Sequence, residues 1–451
     1  MKVAILTLGS QGDIRPFVAL SLALQAEKHY VIIATNPENE KYCQQHGIPF
    51  CALEGDLAAC IKKNRDEQPN LGKIKVVRTL IRSSFEALRE QFKSLNRLLH
   101  NMDAVFYHPG VFTARHVIEA RKIPSIGIYF QPEIPSKYYS CCLLPPNLPL
   151  KKWSNLAGHY VIAQLFWTPF RKIINEWRAN NGLTKLGVLA PLSYPPFKAV
   201  PIVIAASSEL IPPAPDWPSN AHVAGFLQLS QSDWVPSPSL LKYLRSGPPP
   251  MYVGFGSLTE NCDEKMSDVL IKTLEKLPER VLLCGPFKHI NKNSLPPNIE
   301  FIESAPHAWL FPQMKAIVHH GGAGTTHAAL MAGKPTLAIP FIVDQFHWGE
   351  KIHEMNVGPK PLPASQFTEE GFSRSLDELL NILSYALFAK ALSEKMQQEN
   401  SAKKIIQIFH EHCAHFTPVR ATPTSNQFYK RAFAITAAVL VIFASFVNWR
   451  G

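Results

Sequence analysis

The 451-residue chain is poor in the short signatures that usually announce a chemistry. None of its eight cysteines forms a Cys-x-x-Cys pair or joins histidines at zinc-finger spacing, which excludes a zinc ribbon and a redox dithiol. Cys43, Cys51, Cys60, Cys141, Cys142, Cys262, Cys284 and Cys413 are expected to be small buried hydrophobes in a reducing compartment. There is no GxxxxGK[ST] phosphate loop, so P-loop chemistry is out. No two aspartates are separated by a single residue, so the common Asp-x-Asp ion clamp is missing and no metal is expected to be required. No dense basic block with interleaved aromatics is present, which removes nucleic acid as an expected partner. No leader is expected either, because Met1-Lys2 runs straight into the apolar Val3–Leu8.

What the chain does have is enough apolar residue (46%) against charge (18%) to fold, and enough length for two domains. Basic residues outnumber acidic ones by 46 to 35, an excess suited to an anionic membrane face or simply to solubility. Ala432–Trp449 carries no charge. As a helix it would span about 27 Å, close to a hydrocarbon core of roughly 30 Å. Arg420, Lys430 and Arg431 precede it and only Arg450 follows. That bias predicts a single-pass C-terminal anchor with the body on the cytoplasmic face of a membrane.

The body alternates apolar runs with helical stretches. Val3–Leu8, Tyr30–Ala34, Ala104–Tyr107, Ser125–Tyr129 and Ile202–Ala206 read as strands of a first parallel sheet covered on both faces. Pro16 opens a helix that continues over Phe17–Ala26. Proline-rich stretches surround residues 211–250, expected as a linker. The pattern then restarts with Met251–Gly256, Arg280–Cys284, Ala316–Val318 and Thr336–Pro340. The expected organisation is α/β: a Rossmann-like domain over 1–210, the linker, a second such domain over 251–415, a tail linker over 416–431 and the apolar helix over 432–449. Ligands of such sheets bind beyond the carboxyl ends of the strands.

One segment stands out for chemistry. His319-His320-Gly321-Gly322-Ala323-Gly324-Thr325-Thr326 follows a strand and precedes an alanine-rich helix. Glycines there let backbone amides approach an anion, and the helix N-terminus adds free N–H groups and partial positive charge. A threonine hydroxyl and a histidine can complete a diphosphate cradle that has no Walker lysine. The plainer alternative is a glycine turn serving tight helix packing. Beyond the next strand, Asp344-Gln345 can take the vicinal hydroxyls of a sugar; alone, the pair reads as a loop cap. The first loop, Gly9–Pro16, is not GxGxxG and so is a poor match for a dinucleotide. It places Asp13 where a general base belongs, or where an aspartate caps the following helix.

Together these segments resemble a known family. SAPHAWLFPQ (Ser304–Gln313), HHGGAGTTHAALMAGKPT (His319–Thr336) and PFIVDQFHWGEKI (Pro340–Ile352) are similar to the donor-binding block of sterol 3-beta-glucosyltransferases, a group related to transferases that decorate bacterial glycopeptides and macrolides. GSQGDIRP, FWTPFRKIINEWR (Phe166–Arg178), PAPDWP (Pro213–Pro218), HVAGF (His222–Phe226) and GPPPMYVGFGSL (Gly247–Leu258) extend the likeness over about residues 1 to 410. The resemblance implies a GT-B fold, two facing Rossmann-like domains with a cleft between them. It also implies inverting transfer of glucose from UDP-glucose, a co-substrate rather than a cofactor, to a lipophilic hydroxyl such as a sterol's. By the same resemblance Ala305 and His307 lie against the uracil. His319, His320, Gly321, Gly322, Ala323, Gly324 and Thr325 form the diphosphate site, and Asp344 and Gln345 hold the sugar. Ser10, Gln11 and catalytic Asp13 face the transfer point, and Gly256 and Ser257 approach the phosphates. Gln11 stands where the family often has a basic residue, and Tyr138–Leu144 departs from its Phe-Pro-rich acceptor loop. A polyketide, carotenoid or diacylglycerol acceptor, another nucleotide sugar, and a catalytically silent lipid binder are the competing expectations.

Overall fold

The computed structural model describes residues 1–9, 11–55, 73–144, 152–190, 200–229, 234–342 and 344–417. The first sheet is formed by β1 (Lys2–Leu6), β2 (Tyr30–Thr35), β3 (Phe50–Ala52), β4 (Ala104–Tyr107), β5 (Ser125–Tyr129), β6 (Ile202–Ile204) and β7 (Ala221–Val223). Its order is β3-β2-β1-β4-β5-β6-β7, and every pairing is parallel. The second contains β8 (Met251–Gly254), β9 (Val281–Cys284), β10 (Ile299–Ile302), β11 (Ile317–His319) and β12 (Thr336–Ala338). It repeats the same logic, β10-β9-β8-β11-β12, again all parallel. In both, strand order reverses beside the first strand, at β1/β4 and β8/β11. Those two reversal points are where an open parallel sheet leaves a crevice.

The strands form because their apolar runs can be buried on both faces. Val3, Ala4, Ile5 and Leu6 are fully buried, as are Met251, Val253, Val281, Leu282 and Leu283. The helix after β1 begins earlier than Pro16 and runs Gln11–Ala26, with the proline inside it. That proline forfeits one backbone hydrogen bond near the helix start, a modest loss beside the burial of Phe17, Val18, Leu20 and Leu24.

The expected boundaries shift in two places. Within 211–250, Ala221–Val223 pairs with β6 and completes the first sheet. The helix Ser401–Ala414 returns to the first unit, where Ile405, Ile406 and Phe409 share a core with Phe17, Leu24 and Phe106. A further apolar cluster joins the units: Ile204, Ala206 and Ile211 pack with Leu330, Trp348, Ile352 and Leu392.

The C-terminal anchor requires correction. Among the described residues no helix is long and apolar enough to cross a membrane, and 432–449 lies outside them. The long helix Lys152–Asn180 carries charges such as Arg171, Lys172 and Arg178 and buries Trp167 and Ile174 in the first unit. The hydrophobic C-terminal helix, the single-pass anchor and the cytoplasmic-face location are therefore not upheld.

Candidate active site

The second sheet's reversal point is built by β8 and β11. After β11 the backbone turns at Gly321, with φ +83°, and Gly322 caps the helix Ala323–Met331. Each glycine is required for its own reason. A side chain at Gly321 would meet the Gln345 carbonyl oxygen at 2.7 Å, and one at Gly322 would meet His320 Nε2 at 2.4 Å. A side chain at Gly324 would meet nothing within 4 Å, so that glycine faces open space. His319 is fully buried, and its Nδ1 accepts the Gly321 N–H at 2.8 Å. It shapes the turn from beneath instead of facing the crevice. Thr326 is likewise committed, its hydroxyl donating to the Gly322 carbonyl at 2.9 Å. Thr325, by contrast, lines the cavity between the units with Gly324.

His320 is the histidine that meets the other strand's loop. A Cβ on Gly256, which stands at φ +59° after β8, would lie 3.3 Å from His320 Cε1. Its Nδ1 is buried without a hydrogen-bond partner among the described residues. Burial drives its pKa down to about 4, so at neutral pH the ring is an uncharged donor or acceptor. Ser257 is exposed at the start of the turn Gly256–Asn261.

Acidic groups stand opposite. Asp13 folds back over Gly9: a Cβ there would sit 2.3 Å from Asp13 Oδ2. Gly9, at φ +128°, is fixed by donating to Asn36 Oδ1 at 2.9 Å and accepting from Asn39 Nδ2 at 3.3 Å. Asp344 opens the helix Asp344–Glu354 of the second unit, and burial raises its carboxyl to about 6, with the Asp13 charge adding to the rise. The two carboxyls thus come from different sheets to within electrostatic reach of one another. Gln345 is buried, and its Oε1 accepts the Phe341 and Ile342 N–H groups at 2.8 and 3.1 Å. Its carbonyl holds the loop, which leaves the amide NH2 for a ligand.

Two further site residues have no role assigned by the sequence motifs: Glu133 stands outside them, and Arg15 stands within GSQGDIRP. Glu133 lies just beyond β5; burial pushes its carboxyl up to about 7, against the Gln131 hydrogen bond at 2.7 Å, and Asp344 contributes to the rise. The usable signal is positional: Asp13, Glu133 and Asp344 each stand shortly after a strand's carboxyl end. Arg15, one turn along the first helix from Gln11, lines the inter-unit cavity with His307, Ala308, Gly324 and Thr325. Ala305 is buried with Leu310 and Phe311. His307 stacks on Phe311, with centroids 4.3 Å apart at 12°. Burial, then the charges of Arg15 and His320, bring His307 down to about 3. Gln11 begins the first helix. Ser10 lies outside the described residues.

The cradle helix is tied to the first unit by His327. The Ser207 N–H donates to its Nε2 at 3.1 Å, so Nδ1 carries the proton and donates to the Ala323 carbonyl at 2.7 Å. Phe226 stacks on the ring at 4.7 Å. Burial holds its pKa near 4, which keeps this acceptor neutral.

Two parallel sheets of matching order, with amide donors beyond one and an acid beyond the other, define a class. The solved glycosyltransferase VinC in complex with DTDP shares the fold: TM-score 0.65 at 17% identity, over 92% of this chain and 100% of that one. The molecule is a GT-B α/β protein. Residues 3–140 match the model of the glycosyltransferase family 28 N-terminal domain, and 270–412 that of the erythromycin biosynthesis protein CIII-like C-terminal domain. A sterol 3-beta-glucosyltransferase of Arabidopsis thaliana is 30% identical over 91% of this chain, and one of Emericella nidulans 30% over 95%. The chain belongs to the sterol 3-beta-glucosyltransferase-like glycosyltransferases. It spans 66% of the length of that plant relative and 31% of the fungal one.

Proposed function

We propose that the protein is an inverting transferase that moves a hexose, glucose from UDP-glucose, to a hydroxyl of a lipophilic acceptor such as a sterol. The observation that carries this is the Gly321–Thr325 cradle, open at Gly324 and with His320 Nδ1 unpartnered, beside which Asp13 and Asp344 lie within electrostatic reach of each other. In one displacement, the acceptor oxygen attacks the anomeric carbon as its proton passes to Asp13. The bond from that carbon to the diphosphate breaks on the opposite face, and UDP leaves with the electron pair. Its charge falls on the N–H groups at the start of the Ala323–Met331 helix and on His320. Donors aimed at developing charge are typically worth about 10²–10³ in rate each. Ala305 and His307 take the base, and Asp344, with the Gln345 amide NH2, takes the sugar hydroxyls. No step calls for a metal ion.

Glu133 favours a second reading of the acceptor. A carboxyl held up to about 7 beside Asp344 suits an acceptor with an additional polar group better than a bare sterol. Purified protein offered UDP-glucose, UDP-galactose and dTDP-glucose against sterols, diacylglycerol and polyketide aglycones, followed by mass spectrometry, tests both readings. A hexosylated product with inverted anomeric configuration is expected. A retained configuration sinks the mechanism, and no transfer from any donor sinks the enzyme.

A further inference from the structure

Arg15 is a cation with an unusual lack of company. It projects from the first unit into the inter-unit cavity, whose other walls include His307 and Ala308 and, on the cradle helix, Gly324 and Thr325. Its Nε is buried without a hydrogen-bond partner, and Arg15 takes part in none of the ion pairs among the described residues. No carboxylate among the described residues lines that cavity. Its charge nevertheless reaches the second unit, where His307 and Tyr252 both respond to it. A half-buried guanidinium whose Nε is enclosed and unpartnered, sharing a cavity with the start of the cradle helix and with no acid in its lining, is an arrangement that an anion completes.

We propose that Arg15 is the first unit's grip on the phosphates of a nucleoside diphosphate, closing over an anion held from the other side by the cradle. This rests on the donor site proposed above and adds to it a residue from the opposite sheet. A guanidinium suits the task because its planar fork can hold two phosphate oxygens at once, which a lysine cannot reproduce. It also gives the donor a physical reason to draw the two units together, since the cation belongs to one and the amides to the other. Neighbouring Gln11 carries no charge, so on this helix the positive charge at the crevice is Arg15's to supply.

The test is calorimetry on the full chain with UDP and, separately, with uridine, comparing wild type, Arg15→Gln and Arg15→Lys. Arg15→Gln is expected to lose roughly tenfold or more in UDP affinity while uridine affinity stays unchanged. Arg15→Lys should fall between the two, keeping charge without the fork. Wild-type UDP binding should also weaken with added salt more steeply than that of Arg15→Gln. Equal losses for UDP and uridine, or unchanged UDP affinity in Arg15→Gln, overturn the proposal while leaving the donor site standing. A wild-type protein that binds no UDP removes the donor site itself. If Arg15→Gln melts early in the absence of nucleotide, Arg15→Lys decides: UDP affinity equal to wild type overturns the fork, and a selective loss for UDP supports it.

Discussion

The loop after β1 and the loop after β11 occupy equivalent places in two sheets of the same strand order, yet they carry opposite chemistry. The first turns at Gly9 so that an aspartate can fold back over it. The second turns at Gly321 and Gly322 so that the His319 ring and the Gln345 carbonyl can pack under it with the His320 ring alongside, and a helix start follows. One loop presents a proton acceptor and the other a set of donors. Topology supplies the place, and the side chains packed against each glycine decide the sign of the field there.

The sharpest way to break this contrast is to remove the acid. Asp13→Ala should lower transfer about 10²- to 10⁴-fold while UDP affinity by calorimetry is unchanged; near-normal turnover would end its role as the base. Next is the donor loop. His320→Ala should weaken UDP binding and cost about 10²–10³ in kcat. Unchanged affinity and rate would leave the cradle without its histidine.

A pair of glycine substitutions sharpens the same loop. Gly322→Ala collides with the His320 ring, so both melting temperature and UDP affinity should fall. Gly324→Ala enters open space, so melting should hold while UDP affinity drops. If the two variants behaved alike, Gly324 would not face the ligand.

Acid should loosen both units. His108, His307, His320, His327 and His347 are held by burial at about 4, 3, 4, 4 and 3, against 6.5 when free. Their pKa values are lower when folded, so the unfolded chain binds more protons between pH 6.5 and about 4. Stability is complete above that window and lost on descending through it. Glu133 and Asp344, raised from 4.5 and 3.8 to about 7 and 6, oppose this, but they are two groups against these five and against His116 and His319, which burial also holds well below the usual range. Unfolding near pH 5.5 should therefore take up a net of roughly four to five protons, readable from the slope of denaturation free energy with pH. A flat profile would mean those rings are not buried as described. The smallest effect belongs to the tie between units: His327→Phe keeps a ring against Phe226 but strands the Ser207 N–H, a loss of about 1–3 kcal/mol.

Much of the fold is legible in the order of the residues. β4 and β5 begin and end where their apolar runs do, because a strand buried on both faces needs nothing else. β3, β7 and β10 give no such signal. Two are three-residue strands, too short for a periodic pattern, and β7 also lies among prolines. In the site, Asp13, His320 and Asp344 can be found because they stand on glycine turns or at strand ends. Glu133 and Arg15 cannot, because an acid near a proline and an arginine on a helix look ordinary until burial is known. The motif assigns Gln345 to the sugar alone, and only packing reveals that its side-chain carbonyl caps the loop.

By itself the amino-acid order determined that two parallel α/β units form and where each glycine turn falls, since burial of apolar runs and backbone sterics are local properties. The tertiary structure decided which polar groups meet. It turned His319 inward and left His320 at the crevice. It carried the last described helix back to the first unit. It also set Asp13 against Asp344, residues far apart along the chain. The physical reason is that pairing between distant residues and the loss of water around a charge exist only once both surfaces are in place.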